Sequence, residues 1–285
     1  MVPFFVATAQ GDCFMTMISA SAGISYGPDP RQQLDVCVPS SMQGSDDPLP
    51  LLVALHAGWW IRGGRSDLLP VSWELCQRGF PVAPVDFRLL QGSRTGADLI
   101  ADVVSACTLA LEEYQVMGGV EQLVIVGSGA GGLLGMCALP QLQKALPGVV
   151  RGVAMVGTAP GLQPWDGCPS EVQAVLEHFR GTGCDDPLCN PDESIPPILL
   201  VHGDQDDEVP CALARKVHAA LVERDVSSTL AIIAGAGHRF LEDPSSQAGR
   251  SACTRLVDWL GRLPQLRSGS EDGPIVAEPT WLSRF

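Results

Sequence analysis

The chain has 285 residues and a formal charge of −14 at pH 7, and 46% of its residues are hydrophobic. This composition is typical of a folded globular protein and excludes a largely disordered chain. The negative charge argues against a partner such as nucleic acid or an anionic membrane, because lysine and arginine must supply the attraction to phosphate. No apolar run approaches the roughly 18 residues that a membrane span needs.

The first segment, Met1–Gly23, is apolar but has no basic residue, since the first basic residue of the chain is Arg31. A secretory signal carries positive charge ahead of its apolar run, so this segment matches a signal peptide poorly. We expect residues 1–24 to form an N-terminal extension, and the cytosol is the favoured compartment.

Short apolar or β-branched runs alternate with longer segments of helical periodicity. The predicted strands are Leu34–Val38, Leu51–Leu55, Val82–Asp86, Leu123–Val126, Gly152–Val156, Ile198–His202 and Thr229–Ile233. The predicted helices are Ala97–Met117, Glu171–Arg180, Cys211–Arg224 and Gln247–Leu260, with another after Ser128. This alternation predicts one α/β domain over residues 25–262, with a mostly parallel sheet and helices on both faces. The polar, turn-rich stretch that follows predicts a C-terminal tail over residues 263–285.

Ten cysteines is a high count for a chain of this length. Most of them stand singly in predicted helices or strands, which is typical of buried thiols that pack as small hydrophobes. Cys184 and Cys189 are close enough to form a disulfide or to share a metal with neighbouring carboxylates. Their spacing matches no common ligand pattern, so we interpret them as loop thiols and predict neither a metal nor a cofactor.

Four segments place chemically active residues directly after predicted strands. They are Val53–Trp60 (VALHAGWW), Val124–Gly132 (VIVGSGAGG), Leu200–Pro210 (LVHGDQDDEVP) and Gly235–Phe240 (GAGHRF). The carboxyl ends of parallel strands meet at one edge of a sheet, so we expect these segments to lie together there.

In order and spacing, the four segments resemble the esterase branch of the α/β-hydrolase fold that carries a His-Gly-Gly-x-Trp oxyanion loop. That branch includes hormone-sensitive-lipase-like, feruloyl and acetylxylan esterase-like, kynurenine formamidase-like and isoprenylcysteine methylesterase-like proteins. The resemblance covers residues 25–262 and implies an α/β-hydrolase fold with a minimal cap. It also implies a small carboxylic ester or amide as the ligand.

The resemblance further implies which residues form the acid–base pair. A His-Gly-x-x-Asp-x-x-Val-Pro pattern places the acid at Asp206, and the family histidine falls on His238 in the loop after the last strand. The neighbouring Asp204, Asp207 and Glu208 are interpreted as solvated loop carboxylates.

The nucleophile position of the resemblance holds a glycine. The family elbow is Gly-x-Ser-x-Gly-Gly, and the alignment that starts at Gly127 puts Gly129 in place of the serine. Ser128 comes one residue early, and at a tight strand-to-helix turn this offset points its hydroxyl elsewhere. Glycine also relieves a backbone strain of about 1–3 kcal/mol at such a turn. We therefore expect a stable turn that cannot form an acyl-enzyme.

The backbone amides of Gly58, Trp59 and Ala130 are the oxyanion donors that the resemblance implies. Ala57 replaces a glycine of the family pattern and would strain the loop if its φ were positive. Trp59 and Trp165 are predicted to line the substrate pocket. Three further residues are interpreted as structural: His56, Trp60 and His202.

Three functions stay open at this point. The first is an esterase-like enzyme whose catalysis is impaired or altered. In that case either the acid–histidine pair activates water directly, or Gly129 is not the natural residue. Alternatively, the chain is an inactive relative that binds a small ligand or a protein partner in the inherited pocket. The third function is lyase or cyclase chemistry with His238 as the base. The presence of both His238 and Asp206 favours retained chemistry over binding alone.

Overall fold

The computed structural model describes residues 18–42, 45, 48–181 and 195–263. In this part of the chain the strands are β1 (Ile18–Ser25), β2 (Gln33–Pro39), β3 (Leu51–Leu55), β4 (Val82–Val85), β5 (Leu123–Ser128), β6 (Val150–Val156), β7 (Ile198–Gly203) and β8 (Ser228–Ile233). The helices are α1 (Leu69–Gln77), α2 (Gly96–Val116), α3 (Ala130–Ala145), α4 (Ser170–Arg180), α5 (Cys211–Val222) and α6 (Gln247–Leu260). All seven predicted strands and all five predicted helices are present.

The strands form a single sheet in the order β1-β2-β4-β3-β5-β6-β7-β8. The pairs β1–β2 and β2–β4 are antiparallel, whereas every pair from β4 to β8 is parallel. The predicted mostly parallel sheet is therefore confirmed. Since the parallel strands β3, β5, β7 and β8 run the same way, their carboxyl ends lie along one edge of the sheet.

Strand β3 illustrates why the central strands are apolar at every position. Leu51, Val53 and Leu55 belong to the hydrophobic cluster on one face of the sheet, while Leu52 and Ala54 belong to the cluster on the other face. All five residues are buried. Successive side chains of a strand point to opposite faces, so a strand covered by helices on both sides needs apolar residues throughout.

All of strand β1 except Ser25 lies within the segment that we expected to be an N-terminal extension. It pairs with β2 from Ile18 opposite Pro39 to Ser25 opposite Gln33, with an irregularity between Ser21 and Ile24. Its sequence, ISASAGIS, contains mostly small residues and few strong strand formers. The strand is therefore held by its partner β2 rather than by its own hydrophobic pattern.

The helix boundaries agree with the sequence patterns to within two residues. Helix α2 starts where a reciprocal cap closes its first turn: the Thr95 hydroxyl accepts from the Asp98 amide at 3.4 Å, and the Asp98 carboxylate accepts from the Thr95 amide at 2.8 Å. Helix α1 was not predicted and is short. None of the described helices combines the length and apolar character that a membrane crossing requires.

Candidate active site

The structure brings the predicted acid and histidine into direct contact at the carboxyl edge of the sheet. Asp206 lies in the loop after β7, and His238 lies in the loop after β8. The Nδ1 atom of His238 is 2.9 Å from Oδ2 and 3.1 Å from Oδ1 of Asp206. The carboxylate acceptor requires a proton on Nδ1, which leaves Nε2 of the neutral ring with a lone pair facing the centre of the site.

The loop after β7 fixes the Asp206 carboxylate. Its Oδ1 atom accepts the backbone amides of Glu208 at 3.0 Å and Val209 at 2.8 Å. A second histidine, His202 on β7, places its Nε2 atom 3.1 Å from Oδ2 of Asp206 and 2.8 Å from the carbonyl oxygen of Val209. Asp206 therefore lies between two imidazoles, and His202 positions it. His202 was interpreted from the sequence only as a structural residue, and the four-residue spacing in the His-Gly-x-x-Asp pattern is the signal that could have revealed this contact.

The contacts of the pair shift the pKa of both groups. Burial opposes ionisation of Asp206, but the hydrogen bonds from His202, His238 and Val209 outweigh it and hold the Asp206 pKa well below its usual range. Burial likewise opposes protonation of His238. The hydrogen bond to Asp206 and the negative charges of Asp206, Glu208 and Glu242 outweigh that effect and raise the His238 pKa above 6.5.

The turn between β5 and α3 has the backbone of a nucleophile elbow. Gly129 has φ +50° and ψ −123°, a conformation that side-chain-bearing residues rarely adopt. The flanking glycines permit close packing: a Cβ on Gly127 would lie 2.2 Å from the Gly132 backbone, and one on Gly131 would lie 2.3 Å from the Leu55 carbonyl oxygen. The glycines thus let α3 start directly against β3 and β5.

A side chain at position 129 would point at His238. A Cβ built on Gly129 lies 3.6 Å from Nε2 of His238, but it also lies 3.1 Å from the Cβ atom of Ala57. The Ser128 side chain is buried. Within the described residues, the hydrogen bonds of the His238 ring go to Asp206 and none joins it to Ser128. The geometry thus puts a bare α-carbon where the resemblance expects a hydroxyl.

In the loop after β3, the residues with strained backbone conformations follow Ala57, and Ala57 itself is not strained. Positive φ values occur at Gly58 (+112°), Trp59 (+50°) and Trp60 (+60°), whereas Ala57 does not have one. Alanine therefore costs no backbone strain at that position. The amides of Gly58 and Trp59 donate to no other group in the part of the chain that the structure describes. The amide of Ala130 opens α3, where no carbonyl of the helix can accept it.

Buried side chains hold this loop against the elbow. The indole Nε1 of Trp60 donates to the carbonyl oxygen of Ala130 at 2.8 Å, and the Trp60 ring packs on Phe179 at 4.2 Å between centroids. His56 is fully buried, stacks on Phe87 at 4.1 Å and donates from Nδ1 to the Ala57 carbonyl at 2.7 Å. Burial also lowers the pKa of His56, which fits a neutral, structural ring.

A cavity of about 320 Å³ opens over these groups. It is lined by Ala57, Gly58, Trp59, Arg62, Gly63, Asp67, Ala130, Glu208, His238 and Arg239. Trp165 does not line it, but its ring stacks on Trp59 with centroids 6.2 Å apart. The pair Cys184 and Cys189 lies outside the described residues.

Glu208 is the residue of this site whose position the sequence pattern did not reveal. Its Oε2 atom lies 3.8 Å from Nε2 of His238, on the opposite side of the ring from Asp206. Asp204 is turned away from the ring and accepts the amide of Gly235 at 2.7 Å. Asp207 is exposed. The three neighbouring carboxylates, which look equivalent in sequence, therefore have different surroundings.

A sharp turn between a central parallel strand and its following helix, faced by an acid–histidine pair, is the arrangement of α/β-hydrolases, and the chain has that fold. Residues 84–265 match the sequence profile of the prolyl oligopeptidase family. The match covers more than half of the chain, which therefore belongs to this family. The motifs in the sequence had not pointed to this family by name.

Several curated relatives and solved structures that the chain is similar to are esterases by name. The isoprenylcysteine alpha-carbonyl methylesterase of Arabidopsis thaliana is 25% identical over 86% of the chain and 62% of its own length. Esterase LipC of Mycobacterium tuberculosis is 29% identical over 76% of the chain and 59% of its own length. The chain thus spans less than two thirds of either relative. Esterase B of Lactobacillus rhamnosis superimposes with a TM-score of 0.73 at 16% identity, covering 86% of the chain and 85% of that structure.

Proposed function

We propose that the chain hydrolyses small carboxylic esters or amides without forming an acyl-enzyme, through a water molecule that His238 activates. The observation that carries this proposal is the intact Asp206–His238 pair, with Nδ1 2.9 Å from the carboxylate and Nε2 directed toward the α-carbon of Gly129. A base held in this way is oriented to remove a proton at Nε2. The esterase names of the relatives support the same reaction class.

The chemistry differs from that of a serine esterase in its first step. In a serine enzyme the histidine deprotonates the hydroxyl and an acyl-enzyme forms. With Gly129 in that place, Nε2 of His238 instead accepts a proton from water, whose oxygen attacks the carbonyl carbon. The amides of Gly58, Trp59 and Ala130 stabilise the oxyanion, and the leaving group takes the proton from Nε2. Serine hydrolases without their nucleophile keep about 10³–10⁴-fold acceleration over water.

The cavity suits a small acyl group. Its volume of about 320 Å³ is at the lower end for ligand pockets. Trp59 supplies an apolar wall beside the oxyanion amides, and Trp165 supports that wall from behind. The loop that carries Trp59 is similar to the His-Gly-Gly-x-Trp loop of esterases, with alanine in place of the first glycine. We therefore expect acetate and butyrate esters to fit better than long-chain esters.

Binding without turnover is the second candidate. Gly129 favours it, because the loss of the nucleophile removes the usual route to hydrolysis. The same cavity and amides would then hold a carboxylic ester or carboxylate ligand. The two candidates differ in whether the chemistry depends on His238.

The experiment compares hydrolysis of p-nitrophenyl acetate and butyrate by the natural chain, His238→Ala and a control, His218→Ala. His218 lies on α5, where its Nδ1 is 2.9 Å from the Ser228 hydroxyl, and it has no contact with the cavity. We expect slow turnover without a burst, a fall of about 100-fold in His238→Ala, and no change in His218→Ala. A fluorophosphonate probe is expected to leave the natural chain unlabelled.

Equal rates in the natural chain and His238→Ala would exclude His238-dependent hydrolysis. If butyrate bound to the natural chain in that case, the binding function would replace the catalytic one. Stoichiometric labelling by the fluorophosphonate at Ser128 would show that a hydroxyl does reach the site, and the direct attack of water would be wrong.

A further inference from the structure

Glu208 and Asp206 lie on opposite sides of the His238 ring although they are only two residues apart. Asp206 contacts Nδ1, and the Oε2 atom of Glu208 is 3.8 Å from Nε2. The Glu208 amide donates to Oδ1 of Asp206 at 3.0 Å, so the turn that orients the acid also sets the position of Glu208. The Glu208 side chain is 41% exposed and lines the cavity.

The separation of 3.8 Å is too long for a direct hydrogen bond between Nε2 and the carboxylate. A water molecule can bridge the two atoms, since two hydrogen bonds of about 2.8 Å each reach across any separation up to about 5.6 Å. His238 and Glu208 line the same cavity, so a water molecule in it can reach both side chains. A Cβ atom at position 129 would lie 3.6 Å from Nε2 of His238, so glycine leaves the space beside Nε2 open.

We propose that Glu208 and His238 together hold the attacking water over Gly129, so that Glu208 is a catalytic residue of this chain. The proposal rests on the proposed hydrolysis and adds Glu208 to it. In a serine esterase the nucleophile is held in place as a side chain, and here Glu208 helps to orient the attacking water instead. A water that donates one hydrogen bond to Nε2 of His238 and another to the Glu208 carboxylate keeps its lone pairs free. These lone pairs point away from both acceptors. A carbonyl carbon bound at the oxyanion amides is then open to attack by one of those lone pairs.

The reaction balances with one water and one ester. The water oxygen bonds to the carbonyl carbon while its proton passes to Nε2 of His238, and the carbonyl becomes an oxyanion. The tetrahedral intermediate collapses, the bond from carbon to the alkoxide oxygen breaks, and the alkoxide takes the proton from Nε2. The products are a carboxylic acid and an alcohol. Glu208 remains ionised throughout and accepts a hydrogen bond from the water.

Several charged groups act on the His238 ring besides Glu208. Asp206 contacts it, Glu242 on the 3-10 turn after it contributes negative charge, and Arg239 next to it is ion-paired with Glu242. Arg62 and Asp67 line the same cavity from the loop after β3. Removal of the Glu208 charge alone leaves this set otherwise intact and lowers the His238 pKa, because Glu208 is one of the charges that raise it.

The test uses Glu208→Gln, Glu208→Ala and the matched control Asp207→Asn, a neighbouring exposed carboxylate. NMR titration of the His238 ring and the pH profile of kcat/KM are measured for each variant. Because a base must be deprotonated, activity rises with pH through the His238 pKa. We expect Glu208→Gln to move both the NMR titration and the acid limb to lower pH, and Asp207→Asn to move neither. We expect kcat at high pH to fall about tenfold or more in Glu208→Ala and less in Glu208→Gln, whose amide oxygen still accepts from water.

Crystal structures of the natural chain and Glu208→Ala complete the test. We expect an ordered water within hydrogen-bond distance of both Nε2 and Oε2 in the natural chain, and its loss in the variant. Absence of that water from the natural chain, or an unchanged His238 pKa in Glu208→Gln, would overturn the role of Glu208. If the water and the pKa shift are found but His238→Ala hydrolyses esters as fast as the natural chain, the water site stands and the proposed hydrolysis is wrong.

Discussion

Two residues at the centre of the site differ from the esterase pattern in a complementary way. Position 129 lacks the side chain that the pattern has, and position 57 has a methyl group that the pattern lacks. The structure places these differences together, since a Cβ on Gly129 would be 3.1 Å from the Ala57 Cβ atom. Such a distance is shorter than an ordinary van der Waals contact. Ala57 therefore fits beside glycine and opposes any larger residue.

The first residue-scale prediction concerns restoration of the nucleophile. Gly129→Ser alone is expected to react poorly with a fluorophosphonate, whereas Gly129→Ser combined with Ala57→Gly reacts faster. An overpacked contact costs about 1–3 kcal/mol, which corresponds to roughly 5- to 150-fold in rate. The rates of labelling at position 129 in the two variants measure this difference, and Ala57→Gly alone is the unlabelled control.

Equal labelling of the single and double variants would mean that the Ala57 methyl moves aside without cost. No labelling of a folded double variant would indicate that the oxyanion loop is not competent, and it would favour the binding function. Both serine variants are also expected to lose about 1–3 kcal/mol of stability, because φ +50° is strained for serine. Urea unfolding measures that loss.

At the scale of elements, the loop after β3, which carries the proposed oxyanion amides, is held by ion pairs with other segments. Arg65, at the end of this loop, donates from its backbone amide to Oδ1 of Asp86 at 2.7 Å and pairs through its guanidinium with Oδ2 of Asp86. It also contacts Asp35 on β2 at 3.1 Å. Arg31 donates to the carbonyl oxygen of Gly63 at 2.7 Å. The loop after β3 is thus tied to β2 and to the segment after β4.

Asp86→Asn tests this anchoring. It leaves the half-buried charge of Arg65 with a weaker partner, and we expect a loss of about 1–3 kcal/mol in the free energy of unfolding. The control is Glu74→Gln, which breaks the 2.7 Å pair between Glu74 on α1 and Arg78 directly after that helix and should cost less than about 0.5 kcal/mol. Hydrogen exchange of the Ile61 and Arg62 amides, which donate to the Gly58 carbonyl oxygen in this loop, is expected to accelerate in Asp86→Asn only. Equal effects of the two substitutions would argue against a specific role of the Asp86 contacts.

At the scale of the whole molecule, the acid–histidine pair couples folding to pH. The Asp206 pKa is lowered on folding, so its contribution is present above about pH 3.8 and is lost as the pH falls through the folded value. The His238 pKa is raised on folding, so its contribution is present below pH 6.5 and is lost as the pH rises through the folded value. The interaction therefore stabilises the fold most between these two limits.

Asp206→Asn should make the free energy of unfolding less dependent on pH, at both the acidic and the alkaline end. The free energy of unfolding, measured with urea from about pH 3 to about pH 9, is expected to fall at both ends more steeply in the natural chain than in the variant. Asp207→Asn is the control, because that carboxylate is exposed and should leave the profile unchanged. Identical profiles for Asp206→Asn and the natural chain would mean that the pair contributes nothing to stability.

The sequence alone determined the architecture, and its motifs predicted the acid–histidine pair that the structure brings into contact. Apolar runs and helical periodicity predicted seven strands, five helices and a mostly parallel sheet, because each of those elements has a local hydrophobic pattern that its burial requires. The motifs after β3, β5, β7 and β8 also predicted which segments would meet, since parallel strands end at a common edge. Strand β1 escaped prediction because its stability comes from pairing with β2, which its small residues do not reveal.

Only the tertiary structure decided which side chains act on which. Glu208, Asp207 and Asp204 are equivalent in sequence, yet only Glu208 lies near Nε2 of His238, because the turn after β7 directs each carboxylate differently. The contact between Ala57 and position 129 joins residues 72 positions apart in the chain. Distances of this kind depend on how loops from separate strands pack, and local patterns carry no information about them.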